Sequence, residues 1–119
     1  MKEEFLYYYK ANVVSVYDGD TITVDIDVGF NTTLRKEKIR LHRINAPEIR
    51  GRSRKKSIAS RDYLRSLLDG KEILLQTIKD RKEKFGRYLG EVWLKQNEKL
   101  INVNDELVKQ GFAEYKKYE

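Results

Sequence analysis

Hydrophobic and polar positions alternate most cleanly between residues 22 and 28, where Ile22, Val24, Ile26 and Val28 are separated by Thr23, Asp25 and Asp27. A period of two puts one set on a buried face and the other in water, which predicts a strand of a half-buried sheet. Residues 7 to 17 read as a strand before it, with Val14 and Val16 on one face. "VGFN" at 28 to 31 supplies a glycine-containing hairpin turn, and a third strand from about Thr32 to Ile44 completes a meander. In that third strand Ile39 and Leu41 share one face and Arg40 and His42 the other, so a core on the first face points Arg40 away from it.

The pattern then changes. "NAPEIRGRSRKK" at 45 to 56 carries the only proline and no apolar period, which predicts a loop. Ala59, Tyr63, Leu64, Leu67 and Leu68 recur at helical spacing, with Ile58 off the face and Gly70 as the stop. "KEILLQTI" at 71 to 78 and "YLGEVWLK" at 88 to 95 are two more strands, joined by the polar "KDRKEKFGR". Val103, Leu107 and Val108 mark a short helix that ends before Gly111. Five short strands with a helix inserted after the third predict a mainly β, α+β fold: a five-stranded OB-like barrel closed by a short C-terminal helix.

Length and composition narrow the chemistry. One domain over residues 1–119 is expected, since the chain can bury one core but not two. With no cysteine and a single histidine, His42, any metal must rest on oxygen ligands. No apolar run approaches a membrane span or a signal peptide, so a cytoplasmic, monomeric, soluble protein is expected unless a leader has been removed. The net charge is +6, and between Arg35 and Arg65 twelve Lys and Arg residues face only Glu37, Glu48 and Asp62. A positive field concentrated in one segment fits a polyanionic partner, because Lys and Arg release counterions from phosphates.

Four pieces stand out: Asp18-Gly19-Asp20-Thr21, "IRLHRINAPE" from Ile39 to Glu48, "KFGR" from Lys84 to Arg87, and "ELVKQGFA" from Glu106 to Ala113. Each alone reads as an ordinary turn or helix end; an Asp-Gly at a strand junction is usually a turn in which glycine accepts a positive φ. Together, in this order and at these spacings from Val13 to Gly111, they resemble the staphylococcal nuclease (thermonuclease) family. The resemblance implies a calcium-dependent nuclease that cleaves DNA or RNA with little sequence preference and leaves 3′-phosphate ends. It implies Asp20 as a carboxylate ligand of Ca2+, with a side-chain oxygen from Asn45 and the carbonyl of Ala46. It assigns Glu48 to orienting or deprotonating the attacking water, and Arg40 and Arg87 to gripping the phosphate.

Those roles suit the residue types. Hard oxygens bind calcium, a carboxylate can act as general base, and planar guanidinium groups match a phosphate in two-point contact. Arg50, Arg52, Arg54, Lys55, Lys56 and Lys84 are the candidates for backbone-phosphate contacts. Asn45 departs from the pattern, since the best-known family member has an aspartate there and calcium affinity follows ligand charge. A second reading is therefore a weakened or inactive nuclease-like module that only binds nucleic acid. A third, a protein-interaction barrel with incidental basicity, leaves Asp20, Arg40, Glu48 and Arg87 unexplained.

Overall fold

The computed structural model describes residues 7–47 and 54–116. In chain order the elements are β1 (Tyr8–Asp18), β2 (Thr21–Asp27), β3 (Thr33–Leu41), β4 (Ile44–Asn45), α1 (Arg54–Leu68), β5 (Glu72–Lys82), β6 (Tyr88–Gln96), β7 (Lys99–Asn102), α2 (Val103–Lys109) and β8 (Glu114–Tyr115). The main sheet runs β3-β2-β1-β5-β6-β7, and a parallel pairing of β3 with β6 closes β1, β2, β3, β5 and β6 into a barrel. The predicted five-stranded OB-like barrel with two helices is the observed fold. Among the described residues no helix is long and apolar enough to cross a membrane.

Closure depends on a glycine. Leu41 pairs with Gly90 across the β3–β6 seam. A Cβ on Gly90 would lie 2.8 Å from Leu75 Cδ1 and 3.1 Å from Ile39 Cγ2. A side chain there would hold the two strands apart.

The barrel interior is aliphatic, with Ile22, Val24, Ile39, Leu41, Leu75 and Val92 buried among its side chains. Each such group contributes roughly 1.5–3 kcal/mol relative to exposure. In β2 the alternation is as predicted, Ile22, Val24 and Ile26 being buried. In β1 it is not: a register shift between Val13 and Ser15 lets Ala11, Val13 and Val16 all face inward and leaves Val14 45% exposed. An inserted residue of this kind breaks the period of two.

Further corrections concern two boundaries and one helix face. The predicted third strand ends at Leu41 and resumes as the two-residue β4, interrupted by a turn in which Arg43 has φ 71°. Residues 54 to 56, expected in the loop, form the first turn of α1. The buried face of α1 is Ser57, Ser60, Leu64 and Leu68, whereas Ala59 is exposed and Tyr63 and Leu67 only flank the core. The serines bury their hydroxyls by donating to carbonyls, Ser60 Oγ to Phe112 O at 2.8 Å and Ser57 Oγ to Arg54 O at 2.7 Å.

The C-terminal segment folds back on the barrel. Helix α2 is capped by Asn102, whose side-chain oxygen accepts from Asp105 N at 2.9 Å. The buried amide of Asn104 accepts from Val92 N and donates to His42 O and Gly90 O. Strand β8 then pairs with β4. The turn after β3 is thus held from two sides.

Candidate active site

Asp20 begins where β1 hands over to β2. Asp18 Oδ1 accepts from Asp20 N at 3.0 Å, so the first carboxylate shapes the turn and the second is carried beyond it. Gly19 does not need a positive φ here. A Cβ on it would lie 2.0 Å from Ser60 Oγ and 2.7 Å from Ala46 Cβ, so it is the close approach of α1 and the β4 strand end that requires glycine. Asp20 itself is 8% exposed. Its Oδ2 accepts from Ala46 N at 2.9 Å, and its Oδ1 accepts from Thr21 Oγ1 at 3.2 Å.

Arg40 reaches the same carboxylate. As the alternation predicts, it points away from Ile39 and Leu41, and its Nη1 donates to Leu41 O at 2.7 Å and Ile44 O at 2.8 Å. Its Nη2 lies 2.5 Å from Asn45 Oδ1 and 3.3 Å from Asp20 Oδ2. The guanidinium therefore bridges two of the residues expected to hold a cation. Arg87 approaches from the turn between β5 and β6, where Gly86 adopts φ 81°. Its Nε and Nη2 donate to the two oxygens of Glu83, each at 3.0 Å, and its Nη1 lies 3.4 Å from Thr21 Oγ1. Thr21 links the two halves of the site.

Asp20, Arg40, Glu83 and Arg87 line one cleft of about 640 Å³, together with Asp18, Asn45, Lys84 and the 70% exposed Phe85. Lys84 Nζ lies 5.0 Å from the Phe85 ring centre, and the Arg87 guanidinium 5.5 Å from it. Burial, aided by the hydrogen bond and charge of Asp20, pushes the Asp18 carboxyl up to about 6. The Arg87 hydrogen bond pulls the Glu83 carboxyl down to about 2. Burial also lowers the His42 imidazole, which lines the cleft beside Arg40.

The structure thus brings Asp20, Arg40, Asn45, Ala46, Lys84 and Arg87 together. Arg54, Lys55 and Lys56 are exposed on the first turn of α1 and do not line the cleft. Glu48, Arg50 and Arg52 lie outside the described residues. The sequence reading passed over Glu83, whose pairing with Arg87 is made by the fold of the hairpin turn and not by helical spacing. It also passed over the ion pair of Arg43 with Glu91, whose partners are too far apart in sequence to announce themselves.

The donor set fits a hard divalent cation in kind. Asp18 and Asp20, which line the cleft, offer carboxylate oxygens, and Asn45 offers an amide oxygen. Among the described residues no group of three acidic, histidine or cysteine side chains is assembled for a metal.

The sequence pattern of the staphylococcal nuclease homologue family matches residues 38–119. Arg40, Asn45, Glu48 and Arg87 fall inside that span, and Asp20 precedes it. An uncharacterized protein of Methanocaldococcus jannaschii is 31% identical over 89% of this chain and 58% of its own length. The chain therefore spans less than two thirds of that relative.

Proposed function

This chain belongs to the staphylococcal nuclease homologue family, and from that premise we propose that it hydrolyses phosphodiester bonds of DNA or RNA with low sequence specificity, using calcium. The observation that carries the proposal is the convergence of Arg40, Arg87 and Asp20 on one cleft, where two cationic forks flank a buried carboxylate. Calcium, when bound, neutralises phosphate charge and polarises the phosphorus centre. Asp20 and Asn45 are the side chains that would hold it, with Asp18 beside them and the Ala46 carbonyl as a main-chain donor.

The remaining work falls to this chain's own groups. Arg40 and Arg87 donate to the non-bridging oxygens and stabilise the charge that builds in the transition state. Glu83 holds Arg87 in one orientation through two parallel hydrogen bonds, so the fork is arranged before substrate arrives. Glu48 accepts the proton of the attacking water. Lys84 adds positive charge at the mouth of the cleft.

Digestion of plasmid DNA and of RNA, with calcium, magnesium or chelator, tests this reading. Calcium-stimulated cleavage that falls by roughly 10²-fold or more in Glu48→Gln, with binding retained, is the expected result. Wild-type-like cleavage by that variant removes Glu48 from the base role. One observation favours a binding module instead: Asn45 carries no charge, and its oxygen already accepts from Arg40. Nucleic-acid binding without cleavage under any metal condition would establish that second reading.

A further inference from the structure

We infer that the ion pair between Arg43 and Glu91 positions Arg40, setting the direction in which its guanidinium faces the cleft. The inference rests on the reading of Arg40 as a phosphate-gripping group, but its cause lies in the turn that follows β3. Three oxygens orient the Arg40 guanidinium besides Asp20: Leu41 O, Ile44 O and Asn45 Oδ1. They stand on the two sides of the His42–Arg43 turn, so the shape of that turn decides where they point.

The turn is not one that its residues adopt unaided. Arg43 sits at φ 71°, a left-handed conformation that costs a non-glycine residue free energy and persists only where the surroundings impose it. Its side chain supplies the constraint. Nε and Nη2 donate to Glu91 Oε2 and Oε1 at 3.0 and 2.6 Å, and Nη1 lies 3.0 Å from Asp105 Oδ1. Glu91 is buried on β6 and also accepts from Asn102 Nδ2 at 3.1 Å.

A planar fork bound to a buried, twice-anchored carboxylate is stiff, unlike a surface pair of flexible side chains. The backbone completes the clamp: His42 N donates to Gly90 O, and Lys116 N to Arg43 O. Barrel wall, α2 and β8 therefore converge on the residue midway between the acceptors of Arg40. The hydrogen bonds and ion pair of the Arg40 guanidinium go to Leu41, Ile44, Asn45 and Asp20 and not to Glu91 or Asp105, so Arg43 and Glu91 act on it through the turn.

Two variants separate this role from simple stabilisation. Arg43→Gly removes the guanidinium while accepting the left-handed backbone, and Glu91→Gln keeps the shape of the partner but not its charge. The Nη–H resonances of Arg40, which its three acceptors should hold apart and protect from exchange in the wild type, should collapse in each folded variant towards those of a freely rotating arginine. Oligonucleotide cleavage should fall by roughly 10- to 100-fold, as expected for a displaced reacting group. In an Arg40→Ala background the same substitutions should change cleavage by less than about twofold, since coupled residues are non-additive.

Unchanged Arg40 resonances in folded Glu91→Gln, or losses that add fully to that of Arg40→Ala, would overturn the inference. A wild-type protein that does not cleave would overturn the nuclease reading instead. The resonances of Arg40 would then still decide whether the clamp orients it.

Discussion

At the scale of the residue, Gly19 shows how a correct motif can carry the wrong reason. The Asp-Gly-Asp run is legible as a turn, and a positive φ is the usual explanation of its glycine. The structure assigns a different cause: Ser60 Oγ and Ala46 Cβ occupy the space a side chain would need. Gly19→Ala should therefore destabilise the fold by about 1–3 kcal/mol through overpacking. Because Ala46 N is the donor to Asp20, the same push should loosen the acidic side of the cleft. Thermal unfolding checks the first effect, and repeating it in Ser60→Gly checks the cause, since the penalty should shrink when the nearest obstruction is gone. An unchanged penalty would remove Ser60 as the cause and leave Ala46 Cβ as the obstruction. Asp20, Arg40 and Arg87 were legible only through the resemblance of their motifs to the family, and local alternation added no more than the outward direction of Arg40. The reason for Gly19, and the existence of the Arg43–Glu91 pair, depend on segments that meet only after folding.

At the scale of the element, the β5–β6 hairpin joins stability to chemistry through one pair. Glu83 accepts from the Arg87 side chain and from the backbone N–H groups of Phe85 and Arg87, which is why its carboxyl falls from 4.5 to about 2. A carboxyl depressed on folding stabilises the native state above its ordinary value, because the unfolded chain takes up the proton first as the solution is acidified. The contribution is thus present above about pH 4.5 and is lost as the pH falls towards 2. Glu83→Gln should lower the melting temperature at neutral pH and flatten its decline across that acid window. Parallel melting curves for the two proteins would show that the pair is solvated rather than structural. The hairpin was legible as two strands and a Phe-Gly-Arg turn. Other elements were not, for identifiable reasons: the bulge in β1 hides Val13 from a strict period of two, and two serines occupy helix positions where an apolar period expects aliphatic groups. Strands β4 and β8 have two residues each, too few for any period to register.

At the scale of the molecule, the cleft uses only part of the positive charge. Arg40, Arg43, Lys84, Arg87 and Lys116 line it, while Arg54, Lys55 and Lys56 stand on the exposed first turn of α1. That is an unfavourable place for cations. A helix N-terminus carries partial positive charge and prefers acidic groups, and the first turn of α1 has none. A polyanion laid across this turn would offset the repulsion, whereas a merely solvated surface leaves it in place. If all three side chains contact phosphates of a single strand, replacing them together by glutamine should reduce the salt slope of binding by about two units, at ~0.7 per contact. Affinity at low salt should fall with it, while cleavage at saturating substrate should hold, since none of the three lines the cleft. The same substitutions should raise the melting temperature slightly, because they remove like charges from the positive end of the helix dipole. Fluorescence anisotropy with a labelled oligonucleotide at several salt concentrations measures the slope. A slope identical to that of the wild type, with the melting temperature raised, would mean that the helix start is charged but takes no part in binding.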